Sequence, residues 1–230
     1  MSDIVLIPER NPDPIHRLGR HVHFDPLSKG FRCPTPDGRP LVSRTWERTT
    51  PAYDQGDLGS CTGNGSVGLL ATAPFVQPGV TPDEELAVKV YSVATTYDTI
   101  DGMYPPSDTG STVLAAMKAM KVMGVISGYH WCLGLTDALH TLAYSGPLSV
   151  GVSWYEGFDS PDINGLVHVA GEVRGGHCFE VLGIDVEEQN VVAINSWGPT
   201  WGLGGRFKFS FTDFGRLLAE QGEAATVIVP

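Results

Sequence analysis

Apolar and polar residues change their period along the chain, and the change divides it into a helical first part and a strand-rich second part. From Cys61 to about Ala73 small and apolar residues run together until Pro74 stops them, which predicts a helix in spite of Gly63, Gly65 and Gly68. Each of those glycines costs about 0.5–1 kcal/mol relative to alanine, so the helix is expected to be buried and closely approached by other backbone. A second helix is signalled by Thr81 as N-cap, Pro82 at the first position and Glu84 three residues after the cap, with Leu86, Val90, Val93 and Tyr97 at helical spacing. A third ends at Gly124 and carries Met117, Met120 and Met123 as core filler. A fourth runs from Thr136 to Tyr144. After Gly146 the period becomes two: Leu148–Trp154, Cys178–Ile184, Val191–Ile194, Arg206–Phe211 and Ala224–Val229 read as strands. Helices first and strands last give an α+β layout, with a site expected where the two parts meet.

Residues 1–43 are different. Seven prolines leave no room for a long helix, and the stretch reads as an extended arm laid over the body. His21-x-His23-x-Asp25 has no further ligand cluster to complete a metal site, so no metal is expected there. The remainder, 44–230, reads as one domain with a helical lobe over about 44–135 and a β lobe over about 136–230.

At 230 residues the chain can bury a core without disulfides or metal. Its net charge of −11 and lack of a basic cluster argue against nucleic acid or an anionic membrane as partner. No apolar run reaches the eighteen residues of a membrane span, and Ile4–Ile7 is too short for a signal-peptide core. A cytoplasmic location is therefore expected. Oligomeric state is not legible.

The chemistry lies in three segments: Gln55-Gly56-Asp57-Leu58-Gly59-Ser60-Cys61, Gly175-Gly176-His177, and Asn195-Ser196-Trp197-Gly198-Pro199-Thr200-Trp201-Gly202-Leu203-Gly204-Gly205. A cysteine at a helix N-terminus faces unsatisfied N–H groups and the positive end of the macrodipole, which favours a thiolate. These segments, in this order, resemble the papain-like cysteine peptidases over roughly Arg44 to the C-terminus. The resemblance implies a two-lobed fold and an endopeptidase acting on peptide or protein substrates through a thioester acyl-enzyme, with no cofactor. Cys61 is then the nucleophile and His177 the base that takes and returns its proton. Asn195 orients the imidazole and Trp197 shields that contact. Gln55 and the Cys61 N–H serve as oxyanion donors, and Gly110 pairs with extended substrate. A thiol pKa below the ordinary value is expected.

Cys61 and His177 are 177 − 61 = 116 residues apart, shorter than the roughly 130–150 of papain-type chains, so the middle is trimmed. Thr62 replaces the aromatic residue that usually follows the nucleophile. Leu58 stands where secreted members carry a disulfide cysteine, which fits a reducing compartment. Cys178 is expected to point away from His177 as an inert core thiol. The arm is too short for the large helical pro-segment of lysosomal relatives, so that form of control is expected to be missing and a prokaryotic or phage-type member is implied. Two rivals share the motifs: a catalytically idle papain-fold binding protein, and a transpeptidase or ligase using the same acyl-enzyme.

Overall fold

The computed structural model describes residues 3–34 and 38–230. In chain order its strands are β1 (Asp3–Val5), β2 (Arg20–Phe24), β3 (Arg44–Thr45), β4 (Ser111–Thr112), β5 (Gly128–Trp131), β6 (Leu148–Tyr155), β7 (Val173–Asp185), β8 (Asn190–Ile194), β9 (Arg206–Ser210) and β10 (Glu223–Ile228). Its α-helices are α1 (Cys61–Gly68), α2 (Glu84–Ala94), α3 (Val113–Val122), α4 (Leu135–Tyr144) and α5 (Phe211–Ala219).

Two hydrophobic cores account for the two lobes. One gathers α1, α2 and α3 around Val67, Leu70, Val90, Leu114, Met117 and Met120. The other lies on the seven-stranded sheet, ordered β5-β10-β6-β7-β8-β9 with β3 also on β7. There Trp154, Phe158, Phe179, Phe207 and Phe209 meet ring against ring, mostly edge to face, while α4 and α5 supply Leu142 and Phe214. Such edge-to-face aromatic packing adds about 0.5–1.5 kcal/mol per pair beyond area burial. β7 runs between the cores and is buried without interruption from Gly175 to Ile184.

The α1 glycines let backbone approach on both sides, α2 of the same lobe on one and β7 of the other lobe on the other. A Cβ on Gly63 would come within 2.3 Å of the Ala87 carbonyl oxygen of α2, and one on Gly65 within 3.0 Å of the Phe179 nitrogen of β7. The helix therefore gives up propensity to let backbone approach on both sides. Beyond Gly68 it tightens into a 3₁₀ turn over Leu69–Ala71, shorter than the expected reach to Ala73. The cap of α2 also differs from the expectation. Asp83, two residues after Thr81, is the N-cap, its carboxylate accepting from the Leu86 N–H at 2.8 Å.

Two elements had weak sequence signals. β5 is half-buried and pairs with β10 at the edge of the sheet. α5 follows β9 with no intervening loop: Ser210 ends the strand and caps the helix, accepting from the Asp213 N–H at 3.0 Å.

The N-terminal arm is built into the body. β1 pairs antiparallel with β2, and β2 pairs parallel with β4 of the helical lobe. His21 and His23 are structural neighbours here; the His21 ring bonds the Ile7 N–H and the Thr109 carbonyl oxygen. No group of three or more His, Cys, Asp or Glu suited to a metal occurs among the described residues, and no helix there is long and apolar enough to cross a membrane.

Candidate active site

Cys61 is the first residue of α1, and His177 sits mid-strand in β7, opposite Val152 of β6. Asn195 follows the last residue of β8, where its N–H donates to the Gly205 carbonyl oxygen at 2.8 Å. The Gly202–Gly205 turn, whose glycines adopt positive φ, thus fixes where the asparagine emerges.

The imidazole side of the site is assembled. Asn195 Oδ1 lies 2.7 Å from His177 Nε2 and also accepts from the Ser196 N–H at 2.8 Å. That second bond identifies the oxygen of the amide, so Nε2 must be the protonated nitrogen and Nδ1 carries the free lone pair. Nδ1 is buried and has no hydrogen-bond partner among the described residues. Trp197 lies over the ring with centroids 4.9 Å apart, and Trp154 meets it edge-on at 4.7 Å. Burial in this aromatic box pushes the His177 pKa down to about 4, against the opposing effect of the Asn195 hydrogen bond.

The thiol side differs from the expectation. Cys61 is fully buried, and no hydrogen bond joins it to His177 among the described residues. Its pKa is pushed well above the ordinary thiol value rather than below it. Burial is the main cause and the Cys178 thiol adds to it, while the Cys178 backbone N–H opposes. Cys178 does lie on the face of β7 opposite His177, against α1, with its own pKa raised to about 12 by burial. The helix terminus is present, but the loss of water outweighs it.

The arm borders this buried thiol, and it enters the cleft itself instead of lying over the outside. The Gly19 N–H donates to the Gly176 carbonyl oxygen at 3.1 Å, and the Gly19 carbonyl oxygen accepts from the Ser111 N–H at 2.9 Å. A single residue therefore bridges β7 and the helical lobe. The fit requires glycine: a Cβ on Gly19 would stand 2.3 Å from the Gly59 carbonyl oxygen. Gly110, at φ +69°, has the same restriction, its added Cβ falling 2.3 Å from the Gly19 carbonyl oxygen.

Gln55 is also engaged by the arm. Its Oε1 accepts from Ser196 Oγ at 2.6 Å, which turns the amide nitrogen toward the Leu58 and Arg17 carbonyl oxygens at 2.8 and 3.2 Å. The Arg17 carbonyl oxygen accepts from Trp197 Nε1 as well, at 3.3 Å. Charge holds the arm to both walls: Arg17 pairs with Glu9 and Asp108, and Arg174 with Asp159 and Glu9.

The expected residues thus occur around one cleft, with Cys61 and His177 unpaired. Three participants were not legible. Ser196 orients Gln55 from inside a motif where the asparagine and tryptophan draw attention. Asp108 accepts from the Gly59 N–H at 3.0 Å and from Tyr91 Oη at 2.5 Å, bracing the turn before Cys61, but it lies in an unpatterned loop. Leu18-Gly19-Arg20 gave no signal beyond the arginines around it.

No family model matches the chain. It is 33% identical over 73 residues to a cathepsin B-like protein, CP3, of Giardia intestinalis, covering 30% of this chain and 24% of the relative. A second Giardia intestinalis cathepsin B-like protein, CP2, is 29% identical over 115 residues, covering 45% and 38%. The aligned part is well under half of each curated relative. Among solved structures, xylellain, a cysteine protease from Xylella fastidiosa, superimposes with a TM-score of 0.74 over 96% of this chain and 98% of its own, at 15% identity. With its two lobes, its antiparallel sheet and this full-length superposition, the chain has the papain-like fold that its motifs imply.

Proposed function

We propose that the chain is a papain-like cysteine endopeptidase whose N-terminal arm occupies its own cleft. The observation that carries this is the His177 tautomer: Asn195 fixes the proton on Nε2 and leaves Nδ1 as a free base. With the arm displaced, Nδ1 takes the Cys61 proton and the thiolate attacks the substrate carbonyl. The oxyanion that forms is stabilised by the Gln55 amide and the Cys61 N–H. The imidazolium then protonates the leaving amine, and water, deprotonated by the same nitrogen, hydrolyses the thioester. Ser111 offers its N–H to an extended substrate peptide, as it does to the Gly19 carbonyl oxygen, and Gly110 lets that chain come close. Trp197 keeps water from the His177–Asn195 bond.

Arm occupancy also replaces the expectation that such control is missing. A cytoplasmic, prokaryotic or phage-type member remains part of the same reading, on the motifs alone. One rival draws on a specific observation: the high thiol pKa and filled cleft are what an idle binding protein would carry.

The test is the pH dependence of Cys61 alkylation by iodoacetamide, followed by peptide mapping, in wild type, in Gly19→Ala and in Gly19→Ala with His177→Ala. Labelling near pH 6 that appears in Gly19→Ala and is lost with His177 supports the peptidase. Labelling only above about pH 8 in all three supports the idle protein. Product masses with and without an added amine separate hydrolysis from aminolysis.

A further inference from the structure

Outside the cleft, the most unusual chemistry is a second pair of cysteines. Cys33 and Cys132 are free thiols, both buried, with their sulfurs 2.9 Å apart. A disulfide has an S–S distance of about 2.05 Å, so the sulfurs need approach by only about 0.9 Å. The backbone on each side is already held. The Cys33 N–H donates to the Trp131 carbonyl oxygen at 2.8 Å, the Cys132 N–H to the Ala224 carbonyl oxygen at 2.9 Å, and Arg32 forms a two-pronged ion pair with Asp137 at 2.7 Å on each prong. Cys33 belongs to the arm, whereas Cys132 follows β5 of the sheet. Cys132 also lines an open cavity of about 780 Å³ bordered by Val22, Trp131, Leu135 and Gly222, which gives a small reagent a route to the pair.

We infer that Cys33 and Cys132 form an oxidisable dithiol, and that its disulfide anchors the arm to the sheet whether or not the chain between them is intact. The inference draws on the peptidase reading only for what the arm covers. In the reduced protein, the arm up to Cys33 is joined covalently to the body only through residues 34–43, of which 38–40 are exposed. A cut in that stretch leaves the reduced arm held by noncovalent contacts alone. In the oxidised protein the same cut leaves Cys33 fixed to Cys132, about fourteen residues from Gly19, and the arm stays at high effective concentration beside the cleft.

The step balances with a peroxide as oxidant. The Cys33 thiolate attacks a peroxide oxygen, breaking the O–O bond and giving a sulfenic acid and water once its proton is counted. The Cys132 sulfur then displaces the sulfenic oxygen as a second water while the S–S bond forms. Two thiols lose two electrons and two protons, and hydrogen peroxide is reduced to two waters. A small dithiol reverses the change by exchange through a mixed disulfide. Hydrogen bonding to Cys132 and Thr141 lowers the Cys33 pKa, in keeping with Cys33 as the first sulfur to react, whereas burial raises that of Cys132.

The test uses the full chain with the recognition sequence of a site-specific protease inserted between Arg39 and Pro40. Protein is treated with hydrogen peroxide or dithiothreitol, cut at the insert, and its remaining thiols are alkylated under denaturing conditions. The expected result is that the oxidised arm stays with the body on a non-reducing gel and separates when dithiothreitol is added. Peptide mapping should then find Cys33 and Cys132 in one linked peptide, two hydrogens lighter than the sum. Cys33→Ser and, separately, Cys132→Ser should release the arm in either condition. Recovery of both cysteines in alkylated form after peroxide, or release of the oxidised arm without reductant, overturns the inference. Cys61 chemistry is not read in this experiment, so its failure leaves the peptidase reading standing, and an inactive Cys61 leaves the cross-link result unchanged.

Discussion

On the peptidase reading, the two walls of the cleft carry complementary halves of one chemistry, yet they are in different states. On the sheet wall, His177 has its orienting partner, its aromatic cover and its proton on the far nitrogen. On the helical wall, Cys61 stands at a helix terminus suited to a thiolate but lies fully buried, with its pKa raised. The difference teaches that assembly and activation are separable. The sheet fixes geometry through hydrogen bonds that survive burial, whereas ionising the thiol requires water or a charged partner, and the arm removes the first while His177 is neutral. Burial drives both groups toward their neutral forms, Cys61 upward and His177 downward.

Replacing either half should abolish turnover alike. Cys61→Ala and His177→Ala are each expected to lower kcat/KM on a peptide substrate by at least about 10⁴-fold, and the double variant should lose little more. Additive losses would break the picture of one shared chemistry. Gln55→Ala removes a donor aimed at the position of the Arg17 carbonyl oxygen, and should lower kcat by about 10²–10³-fold with a small change in KM. A KM effect alone would make Gln55 an anchor for the arm only.

The pH response sharpens the contrast further. The folded-state pKa of His177, about 4, lies below its unfolded value of about 6.5, so the unfolded chain takes up the proton first as pH falls. The stability tied to neutral His177 is present above pH 6.5 and is lost between pH 6.5 and 4, about 3 kcal/mol in all. Titration of the His177 ring by NMR should show a midpoint near 4, moving toward 6.5 in Gly19→Ala as water returns; an unmoved midpoint would acquit the arm. In that same variant Cys61 alkylation at pH 6 should rise on the order of tenfold for each unit by which the thiol pKa falls. At the small end, Glu172→Gln breaks the exposed pair with Arg10, and should change stability by less than about 0.5 kcal/mol and alkylation not at all.

Much of this was legible, for local reasons. Met117 and Met120 pack in the helical core as their spacing predicts, and Asn195 emerges where its glycine-rich turn requires. The misses have local causes too. Asp83 outcompetes Thr81 for the α2 cap because its carboxylate reaches the Leu86 N–H, and α5 was hidden by a serine that both ends a strand and starts a helix. The arm's entry into the cleft was invisible because its contacts there include backbone groups, Gly19 and the Arg17 carbonyl, which carry no sequence signature.

By itself the sequence determined the main helices and strands and the fold that its motifs imply, since periodicity, turn chemistry and motif spacing act over short stretches of chain. Only the tertiary structure decided whether Cys61 is ionised, what fills the cleft and which cysteines meet. Those depend on contacts between residues as far apart in the chain as Gly19 and Gly176, 157 positions, and solvent exclusion is a property of the packed molecule rather than of any segment.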